Sequence, residues 1–532
     1  MQPERSTSST VTTRHAGNGS SDNHGQIGWS GVHYEIFVRS FADSNGDGIG
    51  DLNGVTNNLD YLKGLGISAI WLMPISPSPT YHKYDVTDYY GIDPDYGTMD
   101  DFRRLISEAH QRGIAVIIDL VIHHTSVRHP WFQEAAKGPD NPYWHYYKWL
   151  KPDEIKRRKL ATRDITADSG ERSPWHSVRG ARYTEQYYAM FWSGMPDLNF
   201  DHQPVRDAVF AIARYWLNEV GVDGFRLDAA RHLYRESEEP KNHEFWTQFG
   251  QVVEAATRGD GPSGAYTVGE VWTRPDRIAP YFRGLKANFN FDLQLMLTEI
   301  VRKENDTEDL IEYLSYVHAT FSRVNPNFID ALLLSNHDQN RIGSLVKGKS
   351  DQQTMARLNV AANLLLTLPG LPYVYYGEEI GMLGMKPDES IREPFLWDIR
   401  AKDTQRTRWR RGTYSTSQTV RPVAQQEADP ESLLNHYKRL IQFRNSHSIL
   451  NNNLSRLVQV GIRQKGILAF IRQESTNDQR VLVVHNLTGK PIDVVLSPTE
   501  EWCRRIVFAT AQGSLLIGDT ITIPAYSCVV VE

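Results

Sequence analysis

From about residue 30 to about 450, short apolar runs alternate with helical patterns, and any fold for this chain has to accommodate that alternation. The runs are His33 to Phe41, Ala69 to Pro74, Ala115 to His123, Gly224 to Asp228, Thr267 to Trp272, Asn288 to Phe291, Phe328 to Ser335 and Pro372 to Tyr376. Several have no polar face: Ala-Val-Ile-Ile-Asp-Leu-Val-Ile at 115–122 is apolar almost throughout, as a strand covered on both sides must be. Between the runs, Asp100 to Arg112, Val205 to Val220, Asp309 to Phe321 and Met355 to Leu368 repeat apolar residues at helical spacing. Eight strands each followed by a helix predict an α/β fold, the (β/α)8 TIM barrel.

Two stretches break the alternation. Residues 125–200, rich in Trp, Tyr, His and charge, follow the third strand, where a barrel carries its active-site face; they predict an inserted substrate-binding subdomain. Beyond a last helix, Leu433 to Asn445, come the short runs Ile467 to Ile471, Arg480 to Val484, Ile492 to Leu496, Arg505 to Phe508 and Ser527 to Val531, which predict a small antiparallel β domain. The expected plan is a barrel over 29–124 and 201–450, an insertion over 125–200 and a C-terminal β-sandwich over 451–532. Residues 1–28, with their Ser, Thr, Gly, Asn and His, read as a disordered tail. They hold no signal-peptide core, which favours the cytoplasm unless a leader has been removed. Secretion or a periplasmic location would then follow.

The net charge is -6 and no long basic run occurs, so nucleic acid and anionic membrane are poor partners. The 13 Trp and 25 Tyr include enough flat amphipathic rings to serve sugar faces as well as the core. Cys503 and Cys528 lie in no metal-ligand spacing; buried free thiols are the simpler reading and one disulfide the other.

Strand ends then carry the chemistry. Arg226 and Asp228 stand two apart, on one face of a strand, and an arginine beside an aspartate keeps it ionised. Taken alone this is a salt-bridged strand end or a nucleophile. Glu270, in Val-Gly-Glu-Val-Trp, is an acid among apolar neighbours, which raises its pKa and suits a proton donor. Asp338 closes Ser-Asn-His-Asp after the seventh strand. One carboxylate ionised and one protonated at the same barrel face are what glycoside hydrolysis needs, and a separation of ~5 Å implies retained stereochemistry.

These segments resemble the α-amylase family of retaining glycoside hydrolases, from about residue 29 to the end. Four signature segments match in order: Asp119 to His124, Gly224 to His232, Gly269 to Trp272 and Asn336 to Asp338. So do Gly50 to Gly54, Met195 to Asn199, and Gly370 to Glu379. The resemblance implies Asp228 as nucleophile, Glu270 as acid/base and Asp338 as transition-state stabiliser, with Arg226 keeping the nucleophile charged. It implies His124 and His337 as hydrogen-bond partners of the sugar, and Tyr84, in His82-Lys83-Tyr84-Asp85, as the ring stacked on it. Ala229 after the nucleophile, with Arg231 and His232 beyond, is similar to α-1,4-specific members. Asp85 and Arg392 resemble residues by which exo-acting α-glucosidases grip a terminal sugar. The implied substrates are α-glucans and maltooligosaccharides, the alternative being an exo-acting α-glucosidase or a 4-α-glucanotransferase. A non-catalytic scaffold of this family would be expected to have lost carboxylates. The sequence is silent on oligomeric state.

Asp43-Ser-Asn45-Gly-Asp47-Gly-Ile49-Gly-Asp51 spaces oxygen donors like the first part of an EF-hand loop, with the Ile49 carbonyl as a fifth. It resembles a calcium loop found after the first barrel strand in a branch of the family, so Ca2+ is the expected ion. A metal-free Asp/Asn/Gly turn is the other reading, and magnesium fits this ligand number less well. A second calcium of many amylases uses an asparagine that aligns with His123 here, and imidazole is a poor calcium ligand.

Overall fold

The computed structural model describes residues 29–161, 171–257, 264–399, 402–474 and 479–532; the expected tail at 1–28 lies outside them. Eight parallel strands close into a barrel: β1 His33–Ile36, β2 Ala69–Leu72, β3 Ala115–Leu120, β4 Gly224–Leu227, β5 Tyr266–Gly269, β6 Ala287–Phe289, β7 Ile329–Leu332 and β8 Leu371–Tyr375. Each pairs with the next, and β8 returns to β1 with Tyr373 opposite His33.

Side-chain alternation along the strands divides two apolar environments. Ala69 and Trp71, Ala115 and Ile117, Tyr266 and Val268, Ala287 and Phe289, and Leu371 and Tyr373 fill the lumen. Their neighbours Ile70, Val116, Ile118, Phe225 and Val374 face the helices. At the floor, where the strands begin, Trp29 packs 4.8 Å from the Tyr266 ring and donates its indole N–H to the Gly264 carbonyl at 3.0 Å. Gly224 opens β4 because a Cβ there would lie 2.3 Å from the Tyr266 carbonyl oxygen.

The first strand is shorter than its apolar run. It stops at Ile36, and Val38–Phe41 turns into a helix. The reason is tertiary. Gly50 packs so closely that a Cβ would sit 2.0 Å from the Val38 carbonyl oxygen, and the Ser40 hydroxyl donates to the Arg392 carbonyl at 2.6 Å. These contacts override the β preference of Val38 and Phe41. The sixth run is also shortened: β6 ends at Phe289 and Phe291 already begins the helix Phe291–Lys303.

After β3 the chain leaves the barrel and forms a three-stranded antiparallel sheet from Trp149–Leu150, Gln186–Tyr188 and Trp175–Ser177. Its core is aromatic, with Trp144 stacked on Trp149 at 4.0 Å. The chain rejoins the barrel through the helix Gln203–Tyr215. At the C-terminus a five-stranded sheet faces a three-stranded one; Leu482, Val484, Val529 and Val531 from the first meet Val494, Ile521 and Ile523 from the second. Cys503 and Cys528 are both free and buried. Arg472 reaches from this domain to the Thr367 and Leu368 carbonyls at 3.1 and 3.2 Å, at the C-terminal end of the helix Asp351–Thr367. Arg444 binds the Leu366, Leu368 and Gly370 carbonyls there. Among the described residues no helix is long and apolar enough to cross a membrane.

Candidate active site

The alternation that fills the lumen with apolar residues continues upward into charge. Glu35 follows His33, Asp119 follows Ile117, and Arg226 and then Asp228 occupy the inward positions of β4 and its end. Glu270 comes two residues after Val268, just past β5.

Arg226 is the hub. Only 1% of its side chain is exposed, and it binds three carboxylates. One terminal nitrogen donates to both Asp119 oxygens at 2.9 and 3.0 Å and to Asp228 Oδ1 at 2.7 Å; the other donates to Glu270 Oε2 at 2.7 Å. The guanidinium lies 5.3 Å from the Trp71 ring, whose face favours a cation. Glu270 Oε2 also accepts the Ala229 N–H at 3.0 Å, and Ala229 pays for that contact with a left-handed φ of 46°. Nothing in the sequence announced this backbone donor.

These contacts set protonation. Burial raises the Glu270 pKa, and the charges of Asp228 and Asp338 add to it against Arg226. Burial also lifts Asp119 to about 7, with Arg226 opposing. Asp338 goes the other way. Burial would raise it, but His337 and then Arg392 outweigh that and hold it well below the usual carboxylate range. His337 is itself lifted to about 9 despite its burial, because Asp338 lies 2.8 Å from Nε2 and Glu35 2.6 Å from Nδ1.

The remaining expected residues gather around this core. The Tyr84 hydroxyl donates to Asp119 at 3.1 Å and lies 2.6 Å from His337 Nε2, its ring stacked with that histidine's. His124, lowered to about 4 by burial and by His123, places Nε2 3.2 Å from the Tyr84 carbonyl oxygen. Arg392 donates to Asp338 and to Asp388, each at 2.9 Å. His82 accepts the Tyr84 N–H at 3.1 Å, while Asp85 is buried and takes the Ser78 and Thr80 hydroxyls. Arg231 and His232 stand to one side, lining a cavity of about 220 Å³ with Lys148, Tyr188 and Tyr234. Arg231 is held by the Trp272 carbonyl at 3.1 Å. Two supports, Glu35 and Asp388, have no motif of their own. Glu35 had one signal: a carboxylate at an inward position of an otherwise apolar strand.

The loop Asp43–Asp51 is closed by its own amides. Asp43 accepts from Gly46 and Gly48 at 2.6 and 2.8 Å, Asn45 from Asp47 at 2.9 Å, and Asp47 from Ile49 at 2.7 Å. Asp51 caps the helix Leu52–Asn57 through Gly54 N–H and binds Ser44. The donors are all hard oxygens, the set calcium prefers. Among the described residues no three His, Cys, Asp or Glu side chains form a metal-holding group.

A parallel eight-stranded barrel with three carboxylates and a buried arginine at its C-terminal mouth is the architecture of a carboxylate-dependent glycosidase. Comparison with known proteins makes this specific. Residues 35–453 match the alpha-amylase catalytic domain model, and residues 467–530 match a model described as the alpha-amylase SusG C-terminal domain. Alpha-amylase 3 of Dictyoglomus thermophilum is 43% identical over 456 residues, 86% of this chain and 84% of that one. A 4-alpha-glucanotransferase of Thermotoga maritima is 33% identical over 467 residues, 87% and 96% of the two chains. A crystal structure of an alpha-amylase from H. orenii superposes with a TM-score of 0.83 at 40% identity, covering 95% of this chain and 99% of that one. The chain belongs to the alpha-amylase family of glycoside hydrolases.

Proposed function

We propose that this enzyme hydrolyses α-1,4-glucosidic bonds in starch-type glucans and maltooligosaccharides with retention, through a covalent glucosyl-enzyme intermediate. The observation that carries the reading is the single guanidinium of Arg226 bound to both Asp228 and Glu270. A shared guanidinium keeps the two carboxylates neighbours, which supports the retaining reading, for which a separation of ~5 Å is expected.

Asp228 is the nucleophile: its carboxylate attacks the anomeric carbon while Glu270 gives its proton to the departing glycosidic oxygen. Glu270, now a base, then takes a proton from the water that releases the sugar. Burial, which raises the Glu270 pKa, supports the first role. Asp338, held ionised by His337 and Arg392, accepts hydrogen bonds from sugar hydroxyls, and these strengthen as oxocarbenium character develops. Tyr84 supplies the ring, and His124 and His337 further polar contacts. Asp228→Asn and Glu270→Gln are each expected to lower kcat by several orders of magnitude on maltoheptaose, with folding intact by circular dichroism; near-wild-type turnover in either would sink the assignment.

Calcium in the Asp43–Asp51 loop is part of the same reading, supported by the all-oxygen donors and by Gly46 and Gly48, whose positive φ lets the loop curl. A second activity, exo cleavage or glucanyl transfer, is favoured by Arg392, buried against Asp338 where a chain end would be gripped, and by the glucanotransferase among the relatives. Products from maltoheptaose decide: only shorter sugars mean hydrolysis, and products longer than the donor mean transfer.

A further inference from the structure

Tyr84 sits in a long irregular connection. Residues 73–98, between β2 and the helix Met99–Gln111, contain no helix or strand, so turns and side chains have to set their course. The connection folds back on itself. Thr87 N–H donates to the Pro77 carbonyl at 2.8 Å, and Asp93 N–H to the Ile75 carbonyl at 2.8 Å. The first tie closes a loop over 77–87, and Lys83 and Tyr84 lie within it.

Lys83 has a left-handed φ of 66°. Glycine takes that conformation freely; a lysine does not, because its Cβ crowds the following carbonyl. The backbone alone therefore gives no reason for a lysine here, and its side chain does. The side chain is 4% exposed, and its ammonium lies 2.8 Å from Asp93 Oδ2 and 3.2 Å from Asp95 Oδ2. It also lies 5.6 Å from the Tyr96 ring, whose face favours a cation. Asp95 has a second base, Arg39 of the helix Val38–Phe41, at 2.8 Å. Asp93 is as deeply buried as Lys83, and among the described residues its ion-pair partner is Lys83. Removing the ammonium would leave that carboxylate buried without a counter-charge.

The next residue carries this arrangement to the cleft. Tyr84 N–H donates to His82 Nδ1 at 3.1 Å, across the turn that Lys83 makes. The Tyr84 ring stacks on that of His337 with centroids 5.5 Å apart, and its hydroxyl donates to Asp119 at 3.1 Å. Asp93 supports the other side of the turn as well. Its Oδ2 accepts the Ser78 N–H at 3.0 Å, and the Ser78 hydroxyl donates to Asp85 at 2.6 Å. One buried carboxylate thus holds the chain at Lys83 and, through Ser78, at Asp85, with Tyr84 between them.

We propose that Lys83 is a positioning residue: its buried ammonium, paired with Asp93, locks the left-handed turn that sets the Tyr84 ring where a substrate sugar stacks. The effect on substrate rests on the glucan-hydrolase reading; the lock itself does not. Two measurements on the full chain test it. Lys83→Gly keeps the freedom of the turn and removes the ammonium. By hydrogen exchange it should open the amides of residues 77–93 about tenfold faster or more, with the barrel strands as protected as in the wild type. Unchanged exchange over 77–93, or an equal rise in the strands, overturns the lock. On maltotriose, Lys83→Gly should lower kcat/KM about tenfold or more. On a Tyr84→Ala background the same change should cost less than about twofold further, because residues that act as one do not add. An undiminished loss on that background would mean that Lys83 acts elsewhere, and it overturns the positioning role, as does unchanged kcat/KM in a folded Lys83→Gly. If Lys83→Gly does not fold, Lys83→Gly with Asp93→Asn leaves no lone buried charge and carries both readouts. If no form cleaves any glucan, the proposed function falls and the exchange still decides the lock.

Discussion

Charges buried at the mouth of the barrel are tolerated because each has a partner of opposite charge. His337 shows what this implies for pH. Its folded pKa is raised from 6.5 to about 9 by Asp338 and Glu35. A group raised in this way stabilises the fold fully below its unfolded value and loses that contribution as pH climbs through the folded one. Unfolding in urea should therefore show stability falling by of order 3 kcal/mol from below pH 6.5 to above about pH 9, and His337→Gln should flatten that decline. An equally steep decline in the variant would mean another group is responsible. Asp228, Glu270 and Asp338 were legible in the sequence because each stands at the end of a strand-like run. Glu35 and Asp388 were not. Glu35 meets His337 across 302 positions of chain, and only barrel closure brings them together.

Among the elements, the strands were legible by their double-sided apolar faces, and their ends were not. Val38–Phe41 reads as strand by composition and is helical because Gly50 lets a loop press against it. That loop is where the calcium reading belongs. Its carboxylates are closed on backbone amides, so an ion has to be held by oxygens that already organise a turn. Bound calcium at a hundredfold excess over Kd adds about 2.7 kcal/mol to stability. Chelation is expected to lower Tm in the wild type and to leave Asp47→Asn unmoved, with metal analysis showing one calcium lost. No bound calcium and no shift on chelation would remove the ion from the description.

Across the whole molecule, Arg472 of the C-terminal sheets reaches into the barrel and meets, at the Leu368 carbonyl, Arg444 of the barrel's own last helix, two buried guanidinium groups bound to backbone oxygens. Burial lowers the pKa of both Arg444 and Arg472. What they bind is the carbonyl end of the helix Asp351–Thr367, the negative end of its dipole. Arg472→Met leaves several buried carbonyls without donors and should cost about 3 kcal/mol or more in urea unfolding. Arg505→Met, at a side chain 74% exposed, should cost less than about 0.5 kcal/mol. Equal effects would show that the clamp carries no load. The domain order was readable along the chain, since apolar runs change length and spacing near residue 450. The clamp was not, because an arginine in a strand-like run reads as a solvated edge until its depth is known.

Trp29 plugs the floor of the barrel, at the opposite end of the strands from Asp228 and Glu270. A tether joined directly at Trp29 would start from the side facing away from the cleft. An enzyme tethered to a bead or an electrode through that end would present its mouth to bulk liquid, free to meet a long polymer. Attachment through lysines scattered over the surface would instead leave a fraction of the molecules facing the support.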